Sequence, residues 1–114
     1  MDCIFCKIAS GGIPADVVYE DDEIMAFHDL APQAPVHVLI IPKRHIASLD
    51  DVDCSDEHRM ILGHLMSKTR EIAALLGLSN GYRIVSNCGE DAMQTVQHLH
   101  FHLLGGRKMG WPPG

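Results

Sequence analysis

The sequence predicts a domain that combines β-strands with one long α-helix, and three observations predict it. Histidines alternate with large apolar residues along 97–104, and a period of two is that of a β-strand. The stretches 17–28 and 82–104 each show two strand-like segments separated by a turn or loop, as in hairpins. Between them, apolar residues recur at spacings of three and four from about Asp56 to Leu76, which indicates an amphipathic helix.

The composition favours one globular domain, expected to span 1–114 with a tail at 107–114. Hydrophobic residues make up 46% of the chain, enough for an ordinary core, although a dimer or a bound metal would help a chain this short. The net charge of −6 argues against a protein that grips a nucleic-acid polymer by its phosphates, but not against one that binds a single nucleotide. No apolar run approaches membrane-spanning length, so no membrane association is expected. The start, Met1-Asp2-Cys3, lacks a basic segment followed by an apolar one, so we expect a cytoplasmic protein with reduced cysteines.

The first motif along the chain is Cys3-Ile4-Phe5-Cys6, followed by room for one or two helical turns before Gly11-Gly12. Two thiols at this spacing can reach one tetrahedral metal ion, and zinc would need two further ligands from elsewhere in the chain. A redox pair has the same spacing, and two small buried thiols without a metal are a third interpretation. The spacing alone leaves all three open.

A hairpin is predicted next, with strands at 17–20 and 24–28 joined by a tight turn at Asp21-Asp22. Two prolines make 29–35 a loop. Asp29 opens this loop at the end of a strand. It either accepts hydrogen bonds from the hydroxyls of a sugar or is a solvated turn residue.

The strand predicted at 36–41 is so continuously apolar that both of its faces are expected to be covered. His37 interrupts the apolar run. A buried imidazole there needs a hydrogen-bonding partner, and the histidines of 98–102 are the obvious candidates. His45 follows this strand, at a position that is either plain surface or part of a site.

The long helix is expected to begin after an N-cap at Ser55 and to end at Gly77. His58 and His64 lie on it and are assigned no ligand role. The apolar face of the helix is interpreted as core or as a dimer contact.

A strand at 82–87 and a loop at 88–94 lead into the histidine strand, which is expected to start at about Thr95 and to be broken by Gly105-Gly106. Trp111, the only tryptophan, lies in the short tail that follows. A loose tail would leave its indole in water, so we expect it to dock on its own subunit, a partner or a ligand.

Three histidines at alternate positions of a strand share one face, about 6–7 Å apart from i to i+2. Such a row predicts chemistry, because each ring needs hydrogen-bonding partners and three cations would repel one another. The histidines either hold zinc as a tripod with a water in the fourth position, or one of them attacks directly while its neighbours orient it and protonate the leaving group. The histidines are His98, His100 and His102, and the residues predicted to point into the core are Leu99, Phe101 and Leu103.

His98-x-His100-x-His102 resembles the motif of the histidine triad (HIT) superfamily, and most of the chain resembles its branch of histidine triad nucleotide-binding proteins. The other stretches that carry the resemblance are Cys3-Ile4-Phe5-Cys6-Lys7-Ile8, Ala26-Phe27-His28-Asp29, Ile40-Ile41-Pro42-Lys43-Arg44-His45, Gly105-Gly106-Arg107 and Trp111-Pro112-Pro113-Gly114. The resemblance implies an α+β fold with a five-stranded antiparallel sheet, a short N-terminal helix and a homodimer. It implies hydrolysis of purine nucleoside phosphoramidates, the amine conjugates of AMP or GMP, and of related adenylates through a nucleotidyl-histidine intermediate.

The resemblance also implies roles for individual residues. His100 matches the nucleophile, and His102 matches the residue that contacts the phosphate and protonates the departing amine. His98 supports this arrangement, and His37 matches its hydrogen-bonding partner from the neighbouring strand. The residues that match nucleotide contacts are Phe5, Phe27, His28 and Leu30 around the base, Asp29 on the ribose, Asn87, Gln94 and Thr95 near the phosphate, and Trp111 in the tail.

The displacement itself requires no metal, but the resemblance implies a structural zinc site. Its ligands would be Cys3, Cys6, His45 and His98, a closed set of two cysteines and two histidines. Met93 departs from the family, where glycine often precedes the Gln94-Thr95 pair. If the backbone there needs a positive φ, methionine is a handicap.

Three functions follow from these features. The first is a nucleotide phosphoramidase, and the presence of every candidate catalytic residue favours it. The second is a nucleotide-binding scaffold dimer with vestigial catalysis, which a His100→Ala variant that kept its cellular role would favour. The third is a zinc hydrolase built on the histidine tripod, which would lose turnover with a chelator.

Overall fold

Five strands form one antiparallel sheet in the computed structural model of the protein, which describes residues 3–114. The strands are β1 (Val17–Glu20), β2 (Ile24–His28), β3 (Val36–Pro42), β4 (Tyr82–Val85) and β5 (Phe101–Gly105), in the spatial order β1-β2-β3-β5-β4. The helices are α1 (Ile4–Ala9) and α2 (Asp56–Leu75), with a 3₁₀ turn at Leu49–Asp51. The predicted α+β fold with its five-stranded sheet is confirmed. Met1 and Asp2 lie outside the described residues. The prediction from the start Met1-Asp2-Cys3 depends in part on them.

The central strand β3 is covered on both faces, as its apolar sequence predicts. Val38 and Ile40 lie in one buried cluster with Leu65 of α2 and the alternating residues of the histidine segment. On the opposite face, Leu39 and Ile41 pack in a second cluster with residues of α1. The sheet therefore separates a core under α2 from a smaller core under α1, and the latter adjoins the histidines.

Helix α2 begins and ends where local sequence signals predict. The Ser55 side chain accepts a hydrogen bond from the backbone N–H of His58 at 3.2 Å, and Gly77 follows the helix with φ +76°. The ring of His58 is buried against the preceding loop, where its Nδ1 accepts from the backbone N–H of Asp53 at 3.0 Å. None of the helices within residues 3–114 has the length and apolar character needed to cross a membrane.

The histidine strand is shorter than predicted. Strand β5 begins at Phe101 rather than near Thr95, and β4 ends at Val85 rather than 87. Side chains take two backbone acceptors that a longer strand ladder would use. The carbonyl of His98 accepts from Nδ1 of His100, and the carbonyl of His100 accepts from Ser86 Oγ. The alternation nevertheless holds, since the three apolar residues all lie in the core under α2: Leu99, Phe101 and Leu103.

The turn between β1 and β2 is fastened to α2 by Asp21. Its Oδ1 accepts from the backbone N–H groups of Glu23 and Ile24 at 2.8 and 2.9 Å. Its Oδ2 accepts from the Tyr19 hydroxyl at 2.8 Å and lies 2.7 Å from Nε2 of His64. Partial burial alone would raise the pKa of Asp21, but these four hydrogen bonds together hold it well below its usual range.

We expect Asp21→Asn to lower the free energy of unfolding at pH 7 by about 2 kcal/mol, the scale of hydrogen bonds to a charged group. Because the pKa is lowered in the folded state, this stabilisation is fully present above the unfolded pKa of about 3.9 and is lost progressively as the pH falls from there through the folded pKa, so it is smaller at pH 3 than at pH 7. Urea unfolding at pH 7 and pH 3 measures the difference. Asp22→Asn, at the exposed neighbouring carboxylate, is the matched control. An equal loss for Asp21→Asn at both pH values would contradict the assignment.

Candidate active site and metal centre

His100 is held with one ring nitrogen bound and the other free. Its Nδ1 lies 2.6 Å from the carbonyl oxygen of His98. Because a carbonyl can only accept, Nδ1 donates and carries a proton, which is the tautomer that puts the lone pair of the neutral ring on Nε2. The ring of Phe5 packs edge-on against the imidazole, with centroids 5.1 Å apart. A buried and oriented imidazole whose Nε2 makes no hydrogen bond within residues 3–114 is the arrangement that a nucleophile needs.

His102 lies beside this group and pairs with His37 of β3. Their rings meet at 2.8 Å between His37 Nε2 and His102 Nδ1. The partner is therefore one of the three histidines that the sequence left open, and not His98, which the family resemblance implied. The strand register explains the difference. Leu39 lies opposite His102, so His37 is its diagonal neighbour on the same face of the sheet.

Burial keeps these histidines uncharged at neutral pH. It lowers the pKa of His37, and it lowers the pKa of His102 to about 4, with the neighbouring His100 and His37 adding to the effect. The carboxylate of Asp29 opposes both shifts, since its Oδ2 lies 3.5 Å from His37 Nε2. The adjacent rings of His37 and His102 therefore pair as neutral groups rather than as mutually repelling cations.

An apolar cleft of about 240 Å³ opens next to the histidines, between α1 and the end of β2. All five residues predicted to surround a base and its ribose line it: Phe5, Phe27, His28, Asp29 and Leu30. The rings of Phe5 and Phe27 meet edge to face with centroids 5.6 Å apart. Sequence reasoning missed Ile4 and Ile8 in the lining, although their spacing of four along a helix is a signal for a shared face.

The loop between β4 and the histidines is built from two of the predicted phosphate contacts. The Asn87 amide donates to the carbonyl of Ala92 at 2.7 Å. The Gln94 side chain accepts from the backbone N–H of Gly89 at 3.0 Å and donates to the carbonyls of Ala47 and Val96. Both amides therefore shape the loop, whereas Thr95 is exposed.

Met93 occupies the conformation that favours glycine, with φ +58°, and no other non-glycine residue among 3–114 has a positive φ. Its side chain is 78% exposed, so it contributes little packing in return. The predicted handicap of methionine at this position is therefore present in the backbone.

We expect Met93→Gly to stabilise the fold by about 1 kcal/mol, because it removes the left-handed strain without removing buried surface. Thermal unfolding followed by circular dichroism measures the change. Met60→Gly is the matched control, since Met60 is equally exposed but lies within α2, where glycine costs about 1 kcal/mol. Destabilisation by both variants would mean that the loop strain is negligible.

The four predicted zinc ligands converge on one point. Nδ1 of His98 lies 3.3 Å from Cys3 Sγ, 3.6 Å from Cys6 Sγ and 3.3 Å from His45 Nδ1, and His45 Nδ1 lies 3.3 Å from Cys6 Sγ. A tetrahedral zinc ion with bonds of about 2.0–2.3 Å separates its ligand atoms by about 3.3–3.8 Å. The donor set and its spacing therefore fit a structural metal ion.

The second hydrogen bond of His98 supports the same conclusion. Its Nε2 lies 2.7 Å from the carbonyl oxygen of Pro42, so Nε2 carries the proton and the lone pair of Nδ1 faces the thiols. Metal-bound histidines usually donate their other ring N–H in this way. The cluster could thus hold a metal ion through ligands that lie at three distant points of the sequence.

The three triad histidines do not form a metal tripod. Their Nδ1 atoms face different partners, namely the thiol cluster for His98, a backbone carbonyl for His100 and His37 for His102. The predicted tripod alternative is therefore wrong on geometry.

A second close group, Asp29, His37 and His102, also fits a metal poorly. The other ring nitrogen of His37 accepts from the backbone N–H of Gln33 at 3.0 Å, so it carries no proton to donate.

The tail places Trp111 away from the cleft of its own chain. The guanidinium of Arg83 lies 5.9 Å from the centre of the indole, and Arg83 also donates to the carbonyl of Gly110 at 2.9 Å. Trp111 therefore docks on its own chain through the contact with Arg83, and 81% of the tryptophan stays exposed.

A five-stranded antiparallel sheet that carries His-x-His-x-His beside an apolar cleft defines the class of histidine triad proteins. The comparisons agree, because the model of the HIT domain matches residues 10–109. An uncharacterised HIT-like protein of Synechococcus elongatus is 57% identical over 113 residues, which cover 99% of this chain and 97% of that protein. The chain belongs to the HIT family.

Solved structures show the same fold. A HIT family hydrolase from Legionella pneumophila superposes with a TM-score of 0.95 at 51% identity, covering 99% of this chain and 100% of the other. A histidine triad nucleotide-binding protein from Candida albicans superposes with a TM-score of 0.82 at 34% identity, covering 99% and 85%.

Proposed function

We propose that the protein is a hydrolase that cleaves the P–N bond of purine nucleoside phosphoramidates, the amine conjugates of AMP or GMP. The observation that carries the proposal is the orientation of His100, whose Nδ1 is bound to a backbone carbonyl and whose ring lies beside His102 and beside Phe5 of the apolar cleft. The similarity to a HIT family hydrolase and to a nucleotide-binding histidine triad protein supports the same class of reaction.

The cleft suits a purine nucleoside. The flat base packs against the apolar walls at Phe5 and Phe27, with His28 and Leu30 at the sides. Asp29 accepts hydrogen bonds from the ribose hydroxyls through Oδ2, since its Oδ1 is bound to the backbone N–H of Ala31 at 2.7 Å. This pose brings the α-phosphate to His100.

The reaction proceeds in two displacements. In the first, the lone pair of His100 Nε2 forms a bond to phosphorus and the P–N bond breaks. The electron pair of that bond stays on the amine nitrogen, which takes a proton from His102. In the second, a water oxygen attacks the phosphorus, the bond to His100 breaks and its electron pair returns to Nε2, while the proton released by water restores His102. His102 is neutral at the start, so it acquires a negative charge when it gives up its Nε2 proton. The positive charge on the nucleotidyl-imidazole of His100 offsets that negative charge, because the two ring centroids are only 5.2 Å apart.

The metal that suits the thiol cluster is zinc, held by Cys3, Cys6, His45 and His98. When bound, zinc would cross-link the N-terminal segment to the histidine segment, and it would take no part in the displacement. The backbone carbonyl of His98 meanwhile orients the nucleophile, so the same residue serves the metal site and the active site.

The remaining parts of the proposal concern assembly and location. We place the protein in the cytoplasm as a homodimer. In the dimer, Trp111 of the exposed tail reaches the nucleotide site of the other copy.

The test of the activity is the incubation of the purified protein with adenosine 5′-phosphoramidate. We expect stoichiometric AMP and ammonia, and a transient mass increase of one adenylyl group in rapidly quenched, acid-free samples. Turnover in metal-free buffer without an adduct at any sampled time would argue against a covalent route. Tight AMP binding without any turnover would favour the nucleotide-binding scaffold.

A further inference from the structure

Three hydrogen bonds connect the tail of the chain to the proposed acid His102. Nη2 of Arg107 donates to the backbone carbonyl of Gln33 at 3.1 Å. The backbone N–H of Gln33 donates to Nδ1 of His37 at 3.0 Å. His37 Nε2 then meets His102 Nδ1 at 2.8 Å.

The backbone N–H of Gln33 fixes the position of the ring protons on His37 and His102. A backbone N–H can only donate, so Nδ1 of His37 must accept and the single proton of the neutral ring sits on Nε2. His37 Nε2–H therefore donates to His102 Nδ1, which leaves the proton of neutral His102 on Nε2. That nitrogen is the one not engaged by His37, and it is free to face the substrate beside His100.

We propose that Gln33 is a positioning residue whose backbone N–H selects the tautomers of His37 and His102, so that His102 presents Nε2–H to the leaving group. The importance of this selection for catalysis rests on the proposed function, whereas the tautomers themselves do not. The charged or titratable groups that face His102 are His37, His100 and Asp29.

Asp29 is the group that opposes this arrangement, because its carboxylate favours an extra proton on the pair of histidines. A proton on His102 Nδ1 would require His37 to accept through Nε2 and to carry its own proton on Nδ1. That proton would then face the N–H of Gln33. The backbone N–H of Gln33 therefore penalises a proton on Nδ1 of His102. Burial separately opposes a second, charging proton on the same ring.

The fold holds Gln33 in place from two sides. Within the loop, the Gln33 side chain donates to the carbonyl of Ala31 at 2.9 Å. From the tail, Arg107 reaches Gln33 after a turn at Gly106, where φ is +91° and a Cβ would lie 2.9 Å from Cβ of Pro35. Only glycine allows the tail to approach the loop this closely.

The test compares Gln33→Pro, which removes the backbone N–H, with Gln33→Ala, which keeps it and removes only the side chain. Long-range ¹H–¹⁵N spectra of the histidine rings report the tautomers directly, without substrate. We expect Nε2–H tautomers of His37 and His102 in the wild type and in Gln33→Ala, and a mixture in Gln33→Pro. With adenosine 5′-phosphoramidate, Gln33→Pro should lower kcat by about 10²-fold, the lower end of general acid catalysis, while KM changes less than about threefold.

The proposal is overturned if wild-type His102 carries its proton on Nδ1, or if Gln33→Pro folds and leaves both tautomers unchanged. Should Gln33→Pro not fold, Arg107→Met decides, because it releases the carbonyl of Gln33 and should shift the tautomers part of the way. Unchanged tautomers in Arg107→Met would then overturn the proposal. Correct tautomers together with no phosphoramidate turnover would support the role of Gln33 in selecting tautomers and refute the proposed function alone.

Discussion

A His100→Ala variant is expected to lose at least about 10³-fold in the rate of phosphoramidate hydrolysis and to form no nucleotidyl adduct. The alanine removes the buried ring that packs against Phe5 of the cleft, and with it the proposed nucleophilic nitrogen. The nucleotide should still bind, since the walls of the cleft and Asp29 are unchanged. Intact-protein mass spectrometry and the rate of AMP release measure the two effects.

His64→Asn is the control for that experiment. His64 is a histidine of α2 whose ring contacts Asp21, outside the cleft and the triad. It should retain the adduct and the turnover although it weakens the fold. A His100→Ala protein that turns over at the wild-type rate would refute the nucleophile and with it the covalent mechanism.

Replacing Cys6 with alanine is expected to abolish stoichiometric zinc binding and to lower the midpoint of thermal unfolding by about 10 °C or more. Structural zinc contributes many kcal/mol to small domains, and about 1 kcal/mol corresponds to roughly 4 °C for a chain of this size. Cys6 is a better choice than Cys3, because Cys3 Sγ also accepts the N-terminal hydrogen bond of α1 from the backbone N–H of Cys6. Metal analysis and circular dichroism measure the outcome.

The chain contains its own control for this change. Cys54 is an exposed free cysteine outside the cluster, so Cys54→Ala should change neither the zinc content nor the midpoint. A wild-type protein purified from zinc-replete cells without zinc, and unaffected by a chelator, would show that the cysteines are simply two buried thiols.

The sequence predicts most of the fold because its elements depend on local signals. The bounds of α2 follow from a capping serine, an apolar periodicity and a glycine, and each acts within a few residues. These features do not depend on residues that are distant in the chain. The positive φ of Met93, by contrast, was raised only by the resemblance to a family that often has glycine there, since methionine itself does not signal it.

Features set by distant residues were predicted only in part. The alternation of the histidine segment shows which side chains face the core under α2, but not that side chains take the backbone carbonyls of His98 and His100, and the start of β5 was misplaced. The partner of His37 depends on strand register, which the sequence does not specify. Gln33 was missed altogether, because it acts through a backbone N–H that every residue except proline has.

The candidate metal site joins residues up to 95 positions apart, and the C-x-x-C spacing alone left it undecided among three interpretations. Only the C-x-x-C half of the set is local. The identity of the other two ligands came from resemblance to a family, and the structure places all four side chains within reach of one ion.

The solitary tryptophan has a practical consequence for spectroscopy. In a single copy of the chain Trp111 is 81% exposed, with the Arg83 guanidinium over its ring, so the monomer is expected to show the emission of a solvated indole. Global unfolding of the monomer will therefore change the intrinsic fluorescence little, and a melting curve recorded this way would report the release of the tail rather than the loss of the core. The same isolation makes the indole a clean optical reporter, since any blue shift on adding nucleotide or raising concentration marks the tail entering an apolar contact.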